Sequence, residues 1–316
     1  MVKNLPPRTG QQYTIKHGDY EAVITELGAT MRKVTYKGRN VIVPLGADDP
    51  VTCCHGQLLV PFPNRIEAGV YTFEGKTYEL PIDEHGNNTA IHGYGYRAFW
   101  NLEVLTEDSV TLSWRVPYLL GYPFDVTVTV TYELGEHGMT VTVTASNDGD
   151  EPAPWALGLH PWLANGKRGA TSEERDADSA ACRLKIDANR HVVVDDGLIP
   201  TGTEPVEGVT DLREGPTLEG RSFDDAWLDV NRAADGTTTT VFTRPDGIEV
   251  KLIGDETINA WQCYTATGAP FAEHPYGVAV EPMTAPANAF RSGEHLTVIE
   301  PGESVTTVVR YEVSRA

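Results

Sequence analysis

The chain has 316 residues, 40% of them hydrophobic, and carries 45 acidic against 25 basic side chains for a net charge of −20. That surplus repels a phosphate backbone, and no basic stretch interleaved with aromatics offsets it, which excludes nucleic acid as a partner. No run approaches the roughly 20 apolar residues of a membrane helix, and "MVKNLPPRTGQQYTIKHG" has no apolar signal segment, so the expectation is a cytoplasmic protein with no membrane partner.

A chain of this size suits one large β domain, and residues 1–316 read as a single domain. The four cysteines, Cys53, Cys54, Cys182 and Cys263, show no CxxC or zinc-type spacing, which predicts reduced thiols and no metal site. The adjacent Cys53 and Cys54 read as small, buried apolar side chains beside a strand.

Strand signals dominate in chain order. "VYTFEGKTYEL" reads as a hairpin around Glu74 and Gly75. In "DVTVTVTYELGEHGMTVTVTASN", Val126, Val128, Val130, Tyr132 and Leu134 alternate with polar residues, and the alternation resumes at Met139 after "GEHG". That predicts a long hairpin with one apolar face. The polar stretch 164–180 reads as a loop, and "TSEERDADSAACRL" as a loop or one or two helical turns. "TTTTVFTRPDGIEVKLIG" and "LTVIEPGESVTTVVRYEV" read as further hairpins, around Pro245 to Gly247 and around Pro301 and Gly302. Closely spaced hairpins without βα alternation define an all-β chain, a large antiparallel β-sandwich.

Five segments carry polar residues that a sandwich alone does not require. "PFPNRIEAG" presents Asn64 and Arg65, either a turn with a solvated arginine or donors aimed at a ligand oxygen. "TAIHGYGYRAFW" sets His92 among glycines and aromatics, which suits a carbohydrate cleft or a hydrophobic plug at one end of the sandwich. "PWALGLHPWLANG" places His160 between Trp155 and Trp162, in a dry setting where an imidazole titrates near neutrality or sits satisfied in the core. "RSFDDAWLDV" offers Asp224 and Asp225, as ligands or as solvated turn acids. In "GVAVEPMTAPANAF", Glu281 stands where an apolar strand leaves the core, facing either water or a pocket.

These five signatures, in this order, resemble the aldose 1-epimerase (galactose mutarotase-like) family from about residue 12 to about residue 312. The resemblance implies the family's supersandwich fold, with Glu281 as catalytic base and His160 as catalytic acid. It implies that Arg65 and His92 bind sugar hydroxyls, that Asp224 rather than Asp225 is the family's aspartate, and that Asn64 belongs to the same substrate-binding set. No metal or organic cofactor is implied, and the partner is a small-molecule monosaccharide, met by a monomer or homodimer. The "HG" loop lacks the family's usual Gly-Phe-Asp stretch, and "FDD" replaces the "FDH" of galactose enzymes, which weighs against strict galactose preference.

Three alternatives stand beside that reading. A hexose-6-phosphate 1-epimerase needs extra cations, for which Arg97 and Arg291 are candidates. A non-catalytic carbohydrate-binding protein keeps the aromatics, Arg65 and His92 but has no use for an acid and a base. A glycosidase pairs Glu281 with Asp224 and leaves His160 without a role.

Overall fold

The computed structural model describes residues 5–271 and 273–315. Two eight-stranded sheets and a four-stranded sheet make up most of it. The first large sheet runs, in spatial order, Asn101–Leu105, Ser109–Arg115, Val126–Gly135, Gly138–Asn147, Ser304–Arg315, Ile248–Gly254, Thr238–Thr243 and Arg183–Ile186. The second runs Pro200–Pro205, Ala188–Val194, Asp224–Val230, Ala260–Tyr264, Gly277–Met283, Gly158–Leu159 and Leu58–Leu59, with Trp162–Ala164 also paired to Gly277–Met283. The ladders joining these strands are antiparallel, as the hairpin spacing predicts.

The alternation in 126–147 behaves as read. Val126, Val128, Val130, Tyr132 and Leu134 are buried and pair in register with Asn147, Ala145, Val143, Val141 and Met139. One hydrophobic cluster, from Tyr13 to Val313, takes in the inner faces of both large sheets. Each fully buried Val or Ile in it contributes about 1.5–3 kcal/mol relative to exposure. The four-stranded sheet at 12–40 is tied to this core by hydroxyls: Tyr132 donates to the Ala29 carbonyl at 2.6 Å, and Tyr20 to the His137 carbonyl at 3.1 Å.

Three sequence expectations need correction. Residues 296–313 do not form a hairpin: Thr297–Ile299 pairs with Ala153–Trp155, whereas Ser304–Arg315 crosses to the large sheet. Asn147 holds this crossing, its amide donating to the Ile299 carbonyl at 2.7 Å while its backbone bonds both Gly302 and Glu303. The stretch 164–180 is not all loop, because Ser172–Ala180 is a helix of about two and a half turns. Thr171 caps it: its hydroxyl accepts the Glu174 N–H, and Glu173 and Glu174 oppose the helix dipole. Cys53 and Cys54 are half-buried in a turn over 53–56, while Cys182 and Cys263 are fully buried. Among the described residues, no helix is long and apolar enough to cross a membrane.

Candidate active site

Every residue of the Gly277–Met283 strand is buried, and Glu281 is 2% exposed. Glu281 therefore does not emerge at a strand end, since the strand runs two residues further and pairs Pro282 with Trp261 and Met283 with Ala260. Register fixes which face it takes. Glu281 lies opposite Gln262, which lies opposite Ala226, and Asp224 is two residues from Ala226, so all three polar side chains leave the same face. The opposite face carries Val278, Val280, Trp261, Cys263 and Trp227 into the core.

His160 reaches Glu281 from the neighbouring chain segment, with Nε2 at 3.2 Å from Oε1. Its backbone is clamped on both sides, by the Gly56 N–H to its carbonyl at 2.8 Å and by its own N–H to the Gln57 carbonyl at 3.1 Å. Its ring packs beside Trp162, whose indole N–H donates to the Cys53 carbonyl, and meets His92 edge-on at 5.6 Å. Burial pulls the His160 pKa down to about 3, with His55 adding a smaller push. Burial likewise drives Glu281 well above the usual carboxylate range, Asp224 adds to the rise, and Arg65 opposes it. Together the two groups hold one proton between them in the dry site. Among the described residues, Glu281 Oε2 and His160 Nδ1 are buried with no hydrogen-bond partner.

His92 and Asn64 both adopt left-handed backbone, with φ of +62° and +55°, and grip one another. The His92 N–H donates to the Asn64 carbonyl at 2.9 Å, and the Asn64 N–H donates to His92 Nδ1 at 3.0 Å. Burial first, then the neighbouring His160 ring and the cations Arg65 and Arg97, hold the His92 pKa well below normal, so the ring is neutral and, with Nδ1 accepting from Asn64, its proton sits on Nε2, free to donate to a ligand oxygen. The Asn64 side chain caps its own strand by accepting the Arg65 N–H at 2.9 Å. Asn64 thus orients both of its partners.

Arg65 forks onto Glu84, Nε to Oε2 at 2.8 Å and Nη2 to Oε1 at 2.9 Å, and reaches Asp224 Oδ2 at 3.3 Å. Asp224 Oδ1 accepts the Gln262 amide at 2.7 Å. Burial raises the Asp224 pKa, and Arg65 and Gln262 restrain the rise. Burial also lifts Glu84, but Arg65 and the Thr89 hydroxyl reverse that into a net lowering, so the Arg65–Glu84 pair is ionic.

The structure thus joins Glu281, His160, His92, Arg65 and Asp224 in one site, with Asn64 as their brace. Sequence reading missed Gln262 and Glu84. Gln262 shows the same signal as Glu281, a polar residue inside an apolar strand, "AWQCY", whereas Glu84 sits in "IDEHGNN" without any. The aromatics of the His92 loop divide: Trp100 fills the core against Trp114, Phe99 is exposed, and Tyr96 lies edge-on to His92. Arg97 pairs with Asp83 at 3.1 Å, and Arg291 is engaged by Glu67 at 3.1 Å and by the Val70 carbonyl.

Residues 11–312 match the family model described as Aldose 1-epimerase, and the chain belongs to that family. It is 32% identical over 298 residues to the uncharacterized protein YihR of Escherichia coli K12, covering 93% of this chain and 91% of that protein. It is 34% identical over 158 residues to galactose mutarotase of Rattus norvegicus, covering 48% of this chain and 43% of that one. Among solved structures, the GalM/aldose epimerase homologue from C. elegans superposes with a TM-score of 0.82 at 21% identity, covering 97% of this chain and 99% of that one. A galactose mutarotase-like protein from Clostridium acetobutylicum gives 0.81 at 19%, with 96% and 95% covered. These two establish likeness of fold.

Proposed function

We propose that this protein is an aldose 1-epimerase that interconverts the α and β anomers of a free aldose. The observation that carries this reading is the buried Glu281–His160 pair, Oε1 to Nε2 3.2 Å apart, beside the polar groups Arg65, His92, Asp224 and Gln262. With the proton on His160, Glu281 is a carboxylate that takes the O1 proton while the imidazolium gives its proton to ring O5. The C1–O5 bond breaks, the open-chain aldehyde turns about C1–C2, and the reverse transfers close the ring on the other face. Each well-placed transfer contributes about 10²- to 10⁴-fold.

Two observations favour this over the alternatives. Glu281 Oε2 and His160 Nδ1 are buried polar atoms without partners, a costly arrangement that a pure binding protein does not need. Arg97 and Arg291 are each engaged by a carboxylate, Asp83 and Glu67, and Arg65 is already held by Glu84 and Asp224, a setting that disfavours a phosphate dianion. The test is competition: free α-glucose, α-galactose and α-xylose are offered with and without hexose 6-phosphates. Acceleration of a free sugar, unaffected by millimolar sugar phosphate, supports the reading. Turnover of the phosphorylated sugar alone overturns it.

A further inference from the structure

Asp224 and Asp225 are consecutive residues of one strand, so their side chains leave opposite faces of the sheet. Asp224 enters the sugar site. Asp225 goes behind it, where Oδ1 lies 2.7 Å from His191 Nε2 and Oδ2 accepts the Asp224 N–H at 3.0 Å. His191 comes from Ala188–Val194, 9% exposed, its ring edge-on to Trp227 at 5.7 Å. Its Nδ1 meets Glu204 Oε1 at 3.2 Å, across the pairing with Pro200–Pro205.

A ring whose two nitrogens both face carboxylates donates from both and is an imidazolium. The hydrogen bond to Asp225 accordingly raises the His191 pKa, with burial opposing and Glu204 assisting. Asp225 and Glu204 are the charged groups that act on this ring. Without that cation, the charge of Asp225 stands directly behind Asp224, which already carries an upward push from burial and from Asp225. Asp224 in turn helps raise Glu281. A chain of charges therefore links His191, outside the site, to the base within it.

We propose that His191 is a positioning residue of the sugar site, which neutralises Asp225 from behind the sheet and so keeps Asp224 ionised and fixed towards the substrate. This rests on the epimerase reading for its kinetic arm. The use of His191 accounts for the second aspartate of "FDD", which the sugar site itself does not employ.

The experiment compares wild type, His191→Gln, Asp225→Asn and the double variant, as full-length chains. Mutarotation gives kcat and KM, and ¹³C carboxyl NMR follows the Asp224 titration without substrate. His191→Gln keeps a donor but removes the charge, and is expected to raise KM about 3- to 10-fold with kcat within about twofold, while the Asp224 midpoint moves upward. Adding Asp225→Asn removes the uncompensated charge and brings both readings back towards wild type, which a purely structural role does not produce. Wild-type KM also climbs on the alkaline side as His191 loses its proton, and in His191→Gln that climb disappears. An unmoved Asp224 titration in His191→Gln, or a double variant worse than either single one, overturns the proposal. A wild type that accelerates no aldose sinks the epimerase reading instead, and the carboxyl titration still decides the role of His191.

Discussion

Glu281 Oε1 stands 3.2 Å from His160 Nε2, and both side chains are nearly closed to solvent. Burial pushes the carboxyl up and the imidazole down, so the pair keeps its single proton across neutrality. Acid adds a second proton, to a ring whose pKa is about 3, and base removes the only one, from a carboxyl well above its usual range. The kcat/KM profile against pH is therefore expected to be flat-topped, with its acid limb far below 6.5. An acid limb centred near 6.5 contradicts a neutral, proton-sharing pair.

The same burial makes Glu281 a liability for stability. Its folded pKa lies above the unfolded value, so its contribution is most favourable below about pH 4.5 and is lost as pH rises through the folded value. Glu281→Gln is expected to be more stable than wild type at pH 8 by about 1 kcal/mol, with the gap closing towards pH 4. Denaturant melts at the two pH values check this, and an equal or lower stability of the variant at pH 8 contradicts it.

Arg65 binds two carboxylates from a position 10% exposed. Arg65→Lys loses the bidentate fork to Glu84, and its KM is expected to rise about tenfold with the fold intact. Arg65→Ala strands both carboxylates and is expected to lower stability by about 3 kcal/mol. Urea titration and kinetics on the two variants separate these effects; unchanged KM in Arg65→Lys removes Arg65 from the substrate-binding set.

Gly93, next to His92, has φ of +67°, and a Cβ there meets the Val60 carbonyl oxygen at 2.3 Å. Gly93→Ala is expected to cost about 2–4 kcal/mol and to displace His92. Gly18 is the control: its φ is +53° with open space around it, and Gly18→Ala is expected to cost only about 1 kcal/mol. Equal losses in thermal denaturation contradict the clash.

Most of the fold was legible because strand alternation is local: Val126 to Leu134 announce their face by spacing alone. At 296–313 the local pattern misleads. Pro301 and Gly302 do reverse the chain, but the partners of the two strands are chosen by Asn147 and by strands far away in sequence. In the site, Glu281 and Gln262 are conspicuous as polar residues in apolar strands. Asp224 and Asp225 illustrate the limit: adjacent in sequence, they are separated by the sheet, and only register puts Asp224 on the face of Gln262 and Glu281 and Asp225 against His191. Glu84 was invisible because its role depends on Arg65, 19 residues away, arriving at a shared point in space.

The most direct test follows freshly dissolved α-glucose, α-galactose and α-xylose by polarimetry or proton NMR, with wild type and Glu281→Gln side by side. Wild type is expected to equilibrate at least one anomer fast, and the variant to lose at least about 100-fold. A Glu281→Gln protein that equilibrates sugars at the wild-type rate contradicts the role given to the Glu281–His160 pair.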